Sequence, residues 1–448
     1  MVTIPPILFR PIWFLHLFIW MSASLFDNFG ISLVNGSSAS LSLAAELESI
    51  PEKNCMSTWQ LKEVLPAAEY TVTSKGIQRT GVIVTSCDLS CLQNLFEPFM
   101  WGLMNNRDGD FSQHLIIISN GVSAYIYCDH LRSLNYKHHC VLDRWCAPPN
   151  ANASMEHAAG SLTFGKPMYF YALVQKVAWI SEVIKFGRSV LWTDMDIFYF
   201  GNPLKYLFET VPDADFAHHG EYWDWTFPTD KCKWNGMIRC DANKSFDGNC
   251  CQESINGGLL FFNPTVHGVN IVKAWFGVLF EDCVVFGKLW NNTCILDQYA
   301  LGNVIYLGNP NVPDHKPQYI KGPIYHWDEL KHEYVQIGEI VRSPRNEIVY
   351  RISQQVFSSR CFGECGYISS NKGYNTYMVA GEKGGDSQRR VCVMPQKNHD
   401  RLISMHQNCL GDVEAKRSNM IALQGMTADE DMYRKEAQDL GRVVIPDW

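Results

Sequence analysis

The sequence predicts an α/β fold with a largely parallel sheet that is covered by helices on both faces. Continuously apolar strand segments alternate with longer segments of helical period, and strands buried on both faces are typical of parallel sheets. The three strand segments are 81–87, 114–121 and 189–196. The helical segments between and before them are 92–104, 122–134 and 166–187, the last ending at Gly187, which suits a helix C-cap.

Composition limits the class of protein and of partner. The chain has 448 residues, 46% hydrophobic and 19% charged, which is typical of a globular protein with one large domain and insertions, or with two domains. Its formal net charge is -8 and it has no long basic run. Because binding to phosphate backbones needs clustered Lys and Arg, we do not expect nucleic acid as a partner.

The N-terminal segment indicates a membrane-associated or secreted protein. Pro11 to Phe26 contains no charged residue, follows Arg10 and precedes a Ser-rich spacer. It is slightly better explained as an uncleaved anchor than as a cleaved signal peptide, and a buried core helix is the third alternative. The predicted organisation is an anchor at 1–30, a stem at 31–76, a folded domain at 77–425, and a C-terminal helix and tail at 426–448.

Cysteine usage agrees with that interpretation. The chain has 16 cysteines, all downstream of residue 54, and an even number after a secretory N-terminus predicts disulfides. Structural zinc is the alternative, but no two C-x-x-C units stand at finger spacing. Two Cys-rich insertions are expected, at about 221–252 and 339–400. Four glycosylation sequons suit a lumenal domain: Asn35, Asn152, Asn243 and Asn291.

A pair of aspartates ends the third strand segment. Asp194 and Asp196 stand between "VLWT" and "IFYF" instead of among turn-forming residues. Ligands of open α/β sheets bind at the carboxyl ends of the strands, and residues i and i+2 of an extended chain point the same way. Two buried carboxylates need a cation, and Mg²⁺ or Mn²⁺ prefers such oxygen ligands. The sequence therefore predicts a divalent metal site here.

The segment "KVAWISEVIKFGRSVLWTDMDIFYFGNPL" resembles the D-x-D region of nucleotide-diphospho-sugar transferases with the GT-A fold. It is most similar to glycosyltransferase family 77, which contains extensin arabinosyltransferases and rhamnogalacturonan xylosyltransferases. Three further motifs follow the pattern of these enzymes in order: "GVIVTSCD", "SINGGLLFFNPT" and "ILDQYALGNVI". The resemblance covers roughly residues 80 to 305, and it implies a Rossmann-like GT-A domain.

The resemblance implies roles for residues on both sides of the metal. Asp196 would bind Mn²⁺ (or Mg²⁺) directly, and Asp194 would contact the metal or the ribose. Thr85 and Ser86 would lie near the nucleoside. Lys176 would approach the donor, although a solvated helix lysine is the simpler alternative.

Further positions are implied later in the chain. Asn256, Gly257 and Gly258 would form a close-approach loop beside the donor sugar, or simply shape a turn. Asp297 and Gln298 would face the sugar or the acceptor as the catalytic pair. Alternatively, Asp297 only complements a helix dipole.

A late histidine commonly completes the metal site in this fold. His406, followed by Lys416, matches the His-x-Asn and downstream Lys pattern of the family better than His326 does. A structural role remains the alternative for either histidine. Lys416 would then contact the donor diphosphate.

These features together predict a metal-dependent, retaining glycosyltransferase with a UDP-sugar donor and a glycan or glycoprotein acceptor. It would be a single-pass type II protein of the Golgi (or ER) membrane with a lumenal catalytic domain. A catalytically inactive lumenal carbohydrate-binding protein with the same fold is the alternative. A metal-dependent hydrolase would need a His-rich, water-activating site, and no such cluster is present in the sequence.

Overall fold

The computed structural model describes residues 57–74, 77–143, 167–220, 255–285, 294–302, 304–305, 320–328, 333–342, 347–352, 356–359, 375–379, 389–393, 403–407, 413–428 and 443–445. All of them belong to a unit that runs from Pro51 to Trp448. Within these ranges, no helix combines the length and the apolar character that a membrane crossing requires. The expected anchor, the insertion at 221–252 and the four sequons lie outside the described residues.

The first half of the chain alternates helices and strands, as the sequence predicts. Its elements are α1 (Thr58–Ala68), β1 (Tyr70–Ser74), β2 (Ile77–Cys87), α2 (Leu89–Met104), β3 (Leu115–Asn120), α3 (Val122–Ser133), β4 (His139–Asp143), α4 (Pro167–Lys185), β5 (Ser189–Thr193), β6 (Ile197–Tyr199), α5 (Pro203–Thr210) and β7 (Phe216–Gly220).

The second half contributes fewer helices and more strands. Its elements are β8 (Ile255–Phe262), α6 (Val266–Phe280), α7 (Asp297–Gly302), β9 (Ile320–Asp328), β10 (Glu333–Arg342), β11 (Ile348–Ile352), β12 (Phe357–Ser359), β13 (Asn375–Val379), β14 (Arg389–Val393), β15 (Ser404–His406), α8 (Val413–Ala428) and β16 (Val443–Ile445).

A central sheet of ten described strands carries the fold. Its order is β4-β3-β2-β5-β8-β7-β11-β10-β9, with β1 paired to β2. The pairings make seven of these strands run in one direction, while β1, β8 and β10 run in the other. This mostly parallel sheet with flanking helices confirms the α/β architecture that the sequence predicts. Two small sheets lie beside it, in the orders β12-β15-β6 and β14-β13-β16.

Each face of the central sheet is covered by its own apolar core. On one face, Ile83 and Leu191 pack with α2, α3, α5 and α8. On the other, Val84 and Trp192 pack with α1, α4, α6 and α7. Successive strand residues point to opposite faces, so burial of both faces accounts for the unbroken apolar strands in the sequence.

Local signals fix several helix ends near the site. The Asp88 side chain caps α2 by accepting a hydrogen bond from the Cys91 backbone N–H (2.7 Å), and Thr265 caps α6 in the same way. Gly187 has a φ of +74°, the left-handed conformation that ends α4 as predicted. The chain can therefore turn back into β5 within a few residues.

The folded domain begins earlier than expected. Residues 57–74 were assigned to the stem, but Leu61 and Leu65 of α1 are buried in the core and β1 pairs with β2. The Gln60 side chain also accepts a hydrogen bond from the Leu142 backbone N–H (2.8 Å). The apolar positions of α1 are spaced four residues apart. This pattern is short and follows a polar spacer, so the sequence alone does not separate it from the stem.

The C-terminal region also differs from expectation. The sequence predicts an insertion at about 339–400, yet β11 lies inside the central sheet, parallel to β7. Helix α8 ends at Ala428, and Val443–Ile445 forms a strand where a tail was expected. The sequence predicts a helix from the charged residues after 428, but residues 429–442 lie outside the described residues.

Three disulfides among the described residues confirm the expectation from the cysteine count. Each joins elements that are close in sequence: Cys87–Cys91, Cys128–Cys140 and Cys283–Cys294. The first ties the end of β2 to the first turn of α2, at the edge of the sheet where the aspartate pair lies.

Candidate functional site

The two aspartates lie in the turn between β5 and β6, beyond the carboxyl end of the strand that precedes them. Asp194 donates its backbone N–H to the carbonyl oxygen of Gly258 (2.7 Å), which joins the turn to β8. Met195, between the aspartates, is buried and places its Sδ atom 3.4 Å from Cys87 Sγ. Because Met195 is anchored in the core, the carboxylates of the residues before and after it can face the same site.

Asp196 is a buried carboxylate with two positively charged or polar neighbours. Lys416 donates from Nζ to its Oδ2 (2.6 Å), and His406 places Nε2 3.0 Å from its Oδ1. Burial alone would raise the pKa of Asp196, but Lys416 and His406 together hold that pKa far below its usual range. The charge of Asp196 in turn raises the pKa of Lys416. Asp196 is therefore ionised under all physiological conditions.

Strand pairing brings His406 to the aspartates from far along the chain. His406 is the last residue of β15 and pairs with Ile197 of β6, while the Gln407 backbone N–H donates to the carbonyl oxygen of Asp196 (2.9 Å). The alternative ligand, His326, lies on β9 at the far edge of the central sheet. Of the two histidines, His406 is the one that the fold places beside the aspartate pair.

Lys416 reaches the site from the first part of α8. Met420 and Leu423, farther along the same helix, are buried against the core that includes α2. Residues four apart lie on one face of a helix, so packing of Met420 directs Lys416 toward the domain. The structure thus brings Lys416 next to Asp196, and its contact with a donor diphosphate stays a prediction.

Asn256, Gly257 and Gly258 lie within strand β8 and not in a loop, which corrects the expectation. The register between β7 and β8 shifts between His218 and Gly220, opposite this segment. Asn256 Oδ1 accepts from the Gly258 backbone N–H (2.8 Å). The segment is therefore irregular strand, held by its own side chain.

Both glycines have close neighbours, and the space at Gly258 admits no side chain. A Cβ atom on Gly257 would lie 3.1 Å from Asp297 Oδ2. One on Gly258 would collide with the His406 ring and lie 3.0 Å from Asn256 Oδ1. Backbone approaches the metal-ligand candidates here where any side chain would clash.

Lys176 and Asp297 form a buried ion pair beside the glycines. Lys176 Nζ donates to Asp297 Oδ2 (2.8 Å) and to the carbonyl oxygen of Gly257, and it lies 5.5 Å from the centre of the Trp192 ring. Trp275 of α6 donates to the carbonyl oxygen of Asp297 (2.9 Å), which fixes the start of α7. Lys176 is therefore not the solvated helix lysine that was the alternative.

Gln298 and Asp194 complete the group. The Gly257 backbone N–H donates to Gln298 Oε1 (3.4 Å), and Trp192 Nε1 donates to Asp194 Oδ1 (3.4 Å). Burial raises the pKa of Asp194; Lys176 and His406 oppose that rise, and the neighbouring carboxylates add to it. Residues from β5, β8, α4, α7, β15 and α8 thus act on one another electrostatically.

Three of these side chains are suited to hold a divalent cation. Asp194, Asp196 and His406 each offer one ligand atom, and these atoms lie within 4.8 Å of one another. Asp196 Oδ1 lies 3.0 Å from His406 Nε2, and His406 Nδ1 is buried without a hydrogen-bond partner among the described residues. Two carboxylates and an imidazole suit Mn²⁺ or Mg²⁺, so the residues present fit the predicted ion.

The two residues predicted at the nucleoside are placed differently. Thr85 is fully buried on the face of Ile83, and its Oγ1 atom has no hydrogen-bond partner within the described part of the chain. Ser86 follows on the face of Val84 and is only half-buried. Because alternate residues point to opposite faces, Ser86 shares the face of Trp192 and Asp194, whereas Thr85 does not.

Polar groups on β3, β4 and β7 were not found from the sequence. Asn120 and Asp143 are paired residues at the carboxyl ends of β3 and β4, and both are buried. Burial raises the pKa of Asp143 to about 7, although Trp179 donates to its Oδ2 (2.8 Å). His219 lies beside His406. Single polar residues at strand ends carry no periodic signal. The two adjacent histidines in "FAHHG" were, however, visible in the sequence.

Comparisons with solved structures give distant likenesses. Mouse xyloside xylosyltransferase 1 is 12% identical with a TM-score of 0.33, covering 74% of this chain and 99% of that one. A glycosyltransferase involved in glycosylation of the major capsid of PBCV-1 is 10% identical with a TM-score of 0.31, covering 76% and 98%. The glycosyltransferase GlyE of Streptococcus pneumoniae is 12% identical with a TM-score of 0.27, covering 50% of this chain and 43% of GlyE. At these TM-scores the likenesses carry no argument about function.

Comparison with curated protein sequences gives no match. A sequence model of a single enzyme family, in contrast, matches more than half of the chain. It is described as nucleotide-diphospho-sugar transferase, and it matches residues 113–420. That range contains the aspartate pair, the glycine segment of β8, the start of α7, His406 and Lys416. The chain belongs to the nucleotide-diphospho-sugar transferase family.

Proposed function

We propose that this glycosyltransferase is metal-dependent and transfers a sugar from a UDP-sugar to a glycan or glycoprotein acceptor. The observation that carries the proposal is the convergence of Asp194, Asp196 and His406 on one point of the sheet edge. The turn between β5 and β6 contributes the two carboxylates, and the distant strand β15 contributes the imidazole. Gly258 packs closely against the His406 ring and so keeps it beside the aspartates. A purely structural cluster would not need two carboxylates side by side.

Asp194, Asp196 and His406 would hold Mn²⁺ or Mg²⁺. When bound, such an ion offsets the negative charge of a diphosphate and of the diphosphate that departs. Lys416 forms an ion pair with Asp196, and His406 Nε2 lies 3.0 Å from the other oxygen of that carboxylate. The Lys416 side chain is partly exposed, and its Nζ atom contacts Asp196 Oδ2, so it could also reach a ligand held beside Asp196. Lys416 would then donate to the diphosphate oxygens.

Lys176, Asp297 and Gln298 would serve the donor sugar on the other side of the cluster. The ion pair with Lys176 holds the Asp297 carboxylate in one orientation, next to the glycine backbone. Hydrogen bonds from sugar hydroxyl groups to Asp297 and Gln298 would orient the anomeric carbon. We place Asp297 nearest to that carbon and assign no separate nucleophile.

The finer features of the reaction rest on the sequence resemblance. Retention of configuration follows the likeness to family 77. A lumenal Golgi (or ER) location, with a membrane anchor at 1–30, agrees with three disulfides, which persist in oxidising compartments.

Turnover of nucleotide sugars by the full chain tests the proposal. We expect one UDP-sugar to be hydrolysed slowly, or transferred to an added glycan, with Mn²⁺ present, and Asp297→Asn to abolish turnover while UDP still binds. If every nucleotide sugar binds and none is turned over in the presence of candidate acceptors, the alternative of an inactive carbohydrate-binding protein replaces the proposal. Turnover that persists undiminished in EDTA would overturn its metal dependence.

A further inference from the structure

We propose that His219 is a positioning residue: its imidazole accepts the Nδ1–H hydrogen bond of His406 and thereby directs Nε2 of His406 to the cation. This inference rests on the proposed metal dependence of the same site. It concerns a residue that neither the D-x-D pattern nor the late His-x-Asn pattern contains.

The position of His219 follows from the irregular pairing of β7 with β8. His219 lies where the register between these strands shifts, opposite the Asn256–Gly258 segment. It is buried, and the centre of its ring lies 5.9 Å from the centre of the His406 ring, with 56° between the planes. The two imidazoles are thus neighbours inside the domain.

Hydrogen-bonding capacity is left over at this contact. His406 Nδ1 and both ring nitrogens of His219 are buried without a hydrogen-bond partner among the described residues. The Asn256 side chain and the Phe357 backbone also lie close to His219. Buried polar atoms without partners are costly and rare, so the Nδ1 atom of His406 beside a second buried imidazole indicates a function for this contact.

The chemistry of a histidine ligand explains what that function is. A histidine that binds a metal through Nε2 carries its proton on Nδ1, and this N–H almost always donates to a fixed acceptor. His406 has no such acceptor within the described residues. A neutral imidazole offers one acceptor nitrogen and one donor N–H. His219 therefore supplies the missing acceptor, after a small movement of the two rings toward each other.

The adjacent His218 shows what an ordinary buried histidine looks like in the same strand. Its Nδ1 atom lies 3.2 Å from the carbonyl oxygen of His219, and its ring stacks on Phe216 with 5.3 Å between ring centres. His218 lies on the opposite face of β7, since neighbouring strand residues alternate. It serves as a matched control, with the same residue type, burial and strand.

The experiment measures Mn²⁺ binding directly, through the electron paramagnetic resonance signal of free Mn²⁺, with the full-length protein and no donor. We expect His219→Phe to raise the Kd for Mn²⁺ by about 10- to 100-fold, the range for losing the hydrogen-bond partner of a ligand histidine. His219→Gln keeps an acceptor oxygen and should recover most of the affinity. His218→Phe should bind Mn²⁺ like the wild type.

Two outcomes would overturn the inference: an unchanged Kd in His219→Phe, or equal losses in His219→Phe and His218→Phe. In both cases the wild type still binds Mn²⁺, so the proposed function stands. If the wild type binds no Mn²⁺, metal dependence and inference fail together. If the affinities follow the expected order but no donor is turned over, the inference stands and the transferase activity does not.

Discussion

Lys176 of α4 and Asp297 of α7 form an ion pair that is almost completely shielded from solvent. Their Nζ and Oδ2 atoms are 2.8 Å apart, and the two side chains expose 6% and 7% of their surfaces. They are 121 residues apart in sequence, so only the folded sheet brings them together. Lys176 thus holds both the Asp297 carboxylate, which is the candidate catalytic group, and the backbone carbonyl of Gly257.

Removing the positive partner is expected to destabilise the protein. Lys176→Met leaves the Asp297 carboxylate buried without its cation, which typically costs about 3 to 5 kcal/mol in the free energy of unfolding. Urea denaturation followed by fluorescence measures this. The double variant Lys176→Met with Asp297→Asn should recover most of the loss, because it removes the uncompensated charge, but it should remain inactive.

An exposed lysine of the same helix provides the control. Lys185 pairs with Glu182 at 2.5 Å on the surface of α4. Lys185→Met should change the free energy of unfolding by less than about 0.5 kcal/mol, since exposed pairs contribute little. Equal effects of the two substitutions would show that the burial of Lys176 has no energetic consequence.

Gly258→Ala is expected to damage the candidate metal site more than the fold. The added methyl group would collide with the His406 ring, so His406 must move away from Asp196. We expect a loss of at least about 10-fold in Mn²⁺ affinity and about 1 to 3 kcal/mol in stability from overpacking. Isothermal titration with Mn²⁺ and thermal unfolding measure the two effects.

Gly277→Ala is the matched control for that substitution. Gly277 lies in α6, and a Cβ atom there meets nothing within 4 Å. Alanine should therefore stabilise the helix by about 0.5 to 1 kcal/mol and leave Mn²⁺ affinity unchanged. Wild-type Mn²⁺ affinity in Gly258→Ala would show that His406 tolerates displacement.

The buried carboxyl of Asp143 predicts a pH dependence of stability. Its pKa is about 7 in the fold, against 3.8 ordinarily, so the folded protein holds a proton that the unfolded chain releases. Stability from this group is complete below about pH 4, falls as the pH rises to about 7, and is constant above. Asp143→Asn can still accept the hydrogen bond from Trp179, and it removes the dependence.

The free energies of unfolding of wild type and Asp143→Asn at pH 4.5 and pH 8 test this. The free energy of unfolding of the variant should rise relative to that of the wild type as the pH rises, by about 3 kcal/mol between these two pH values. A difference between the two proteins that stays constant over this range would mean that Asp143 is ionised in the fold at both pH values.

The sequence was informative where a physical pattern repeats. Continuous apolar strands predicted the parallel part of the sheet, and Gly187 predicted the end of α4, because both patterns depend on neighbouring residues only. The partners of Asp196 were found only through a family resemblance, since His406 and Lys416 lie more than 200 residues away. No local rule connects such positions before strands β6 and β15 pair.

Other features could not be read from the sequence for specific reasons. Helix α1 was assigned to the stem because its apolar face is short and follows a polar segment. Strand β11 was hidden among Gly- and Cys-containing stretches, and its place beside β7 is a long-range pairing. His219 was missed because its significance depends on the ring of His406 next to it.

The central claim is that Asp194, Asp196 and His406 bind a divalent cation that in turn binds the nucleotide diphosphate. The most direct test is the Kd of UDP with Mn²⁺ and with EDTA, for the wild type and for Asp196→Asn. We predict that Mn²⁺ tightens UDP binding by at least about 10-fold in the wild type, and that the gain disappears in Asp196→Asn. Equal UDP affinity in Mn²⁺ and in EDTA for the wild type would contradict the account.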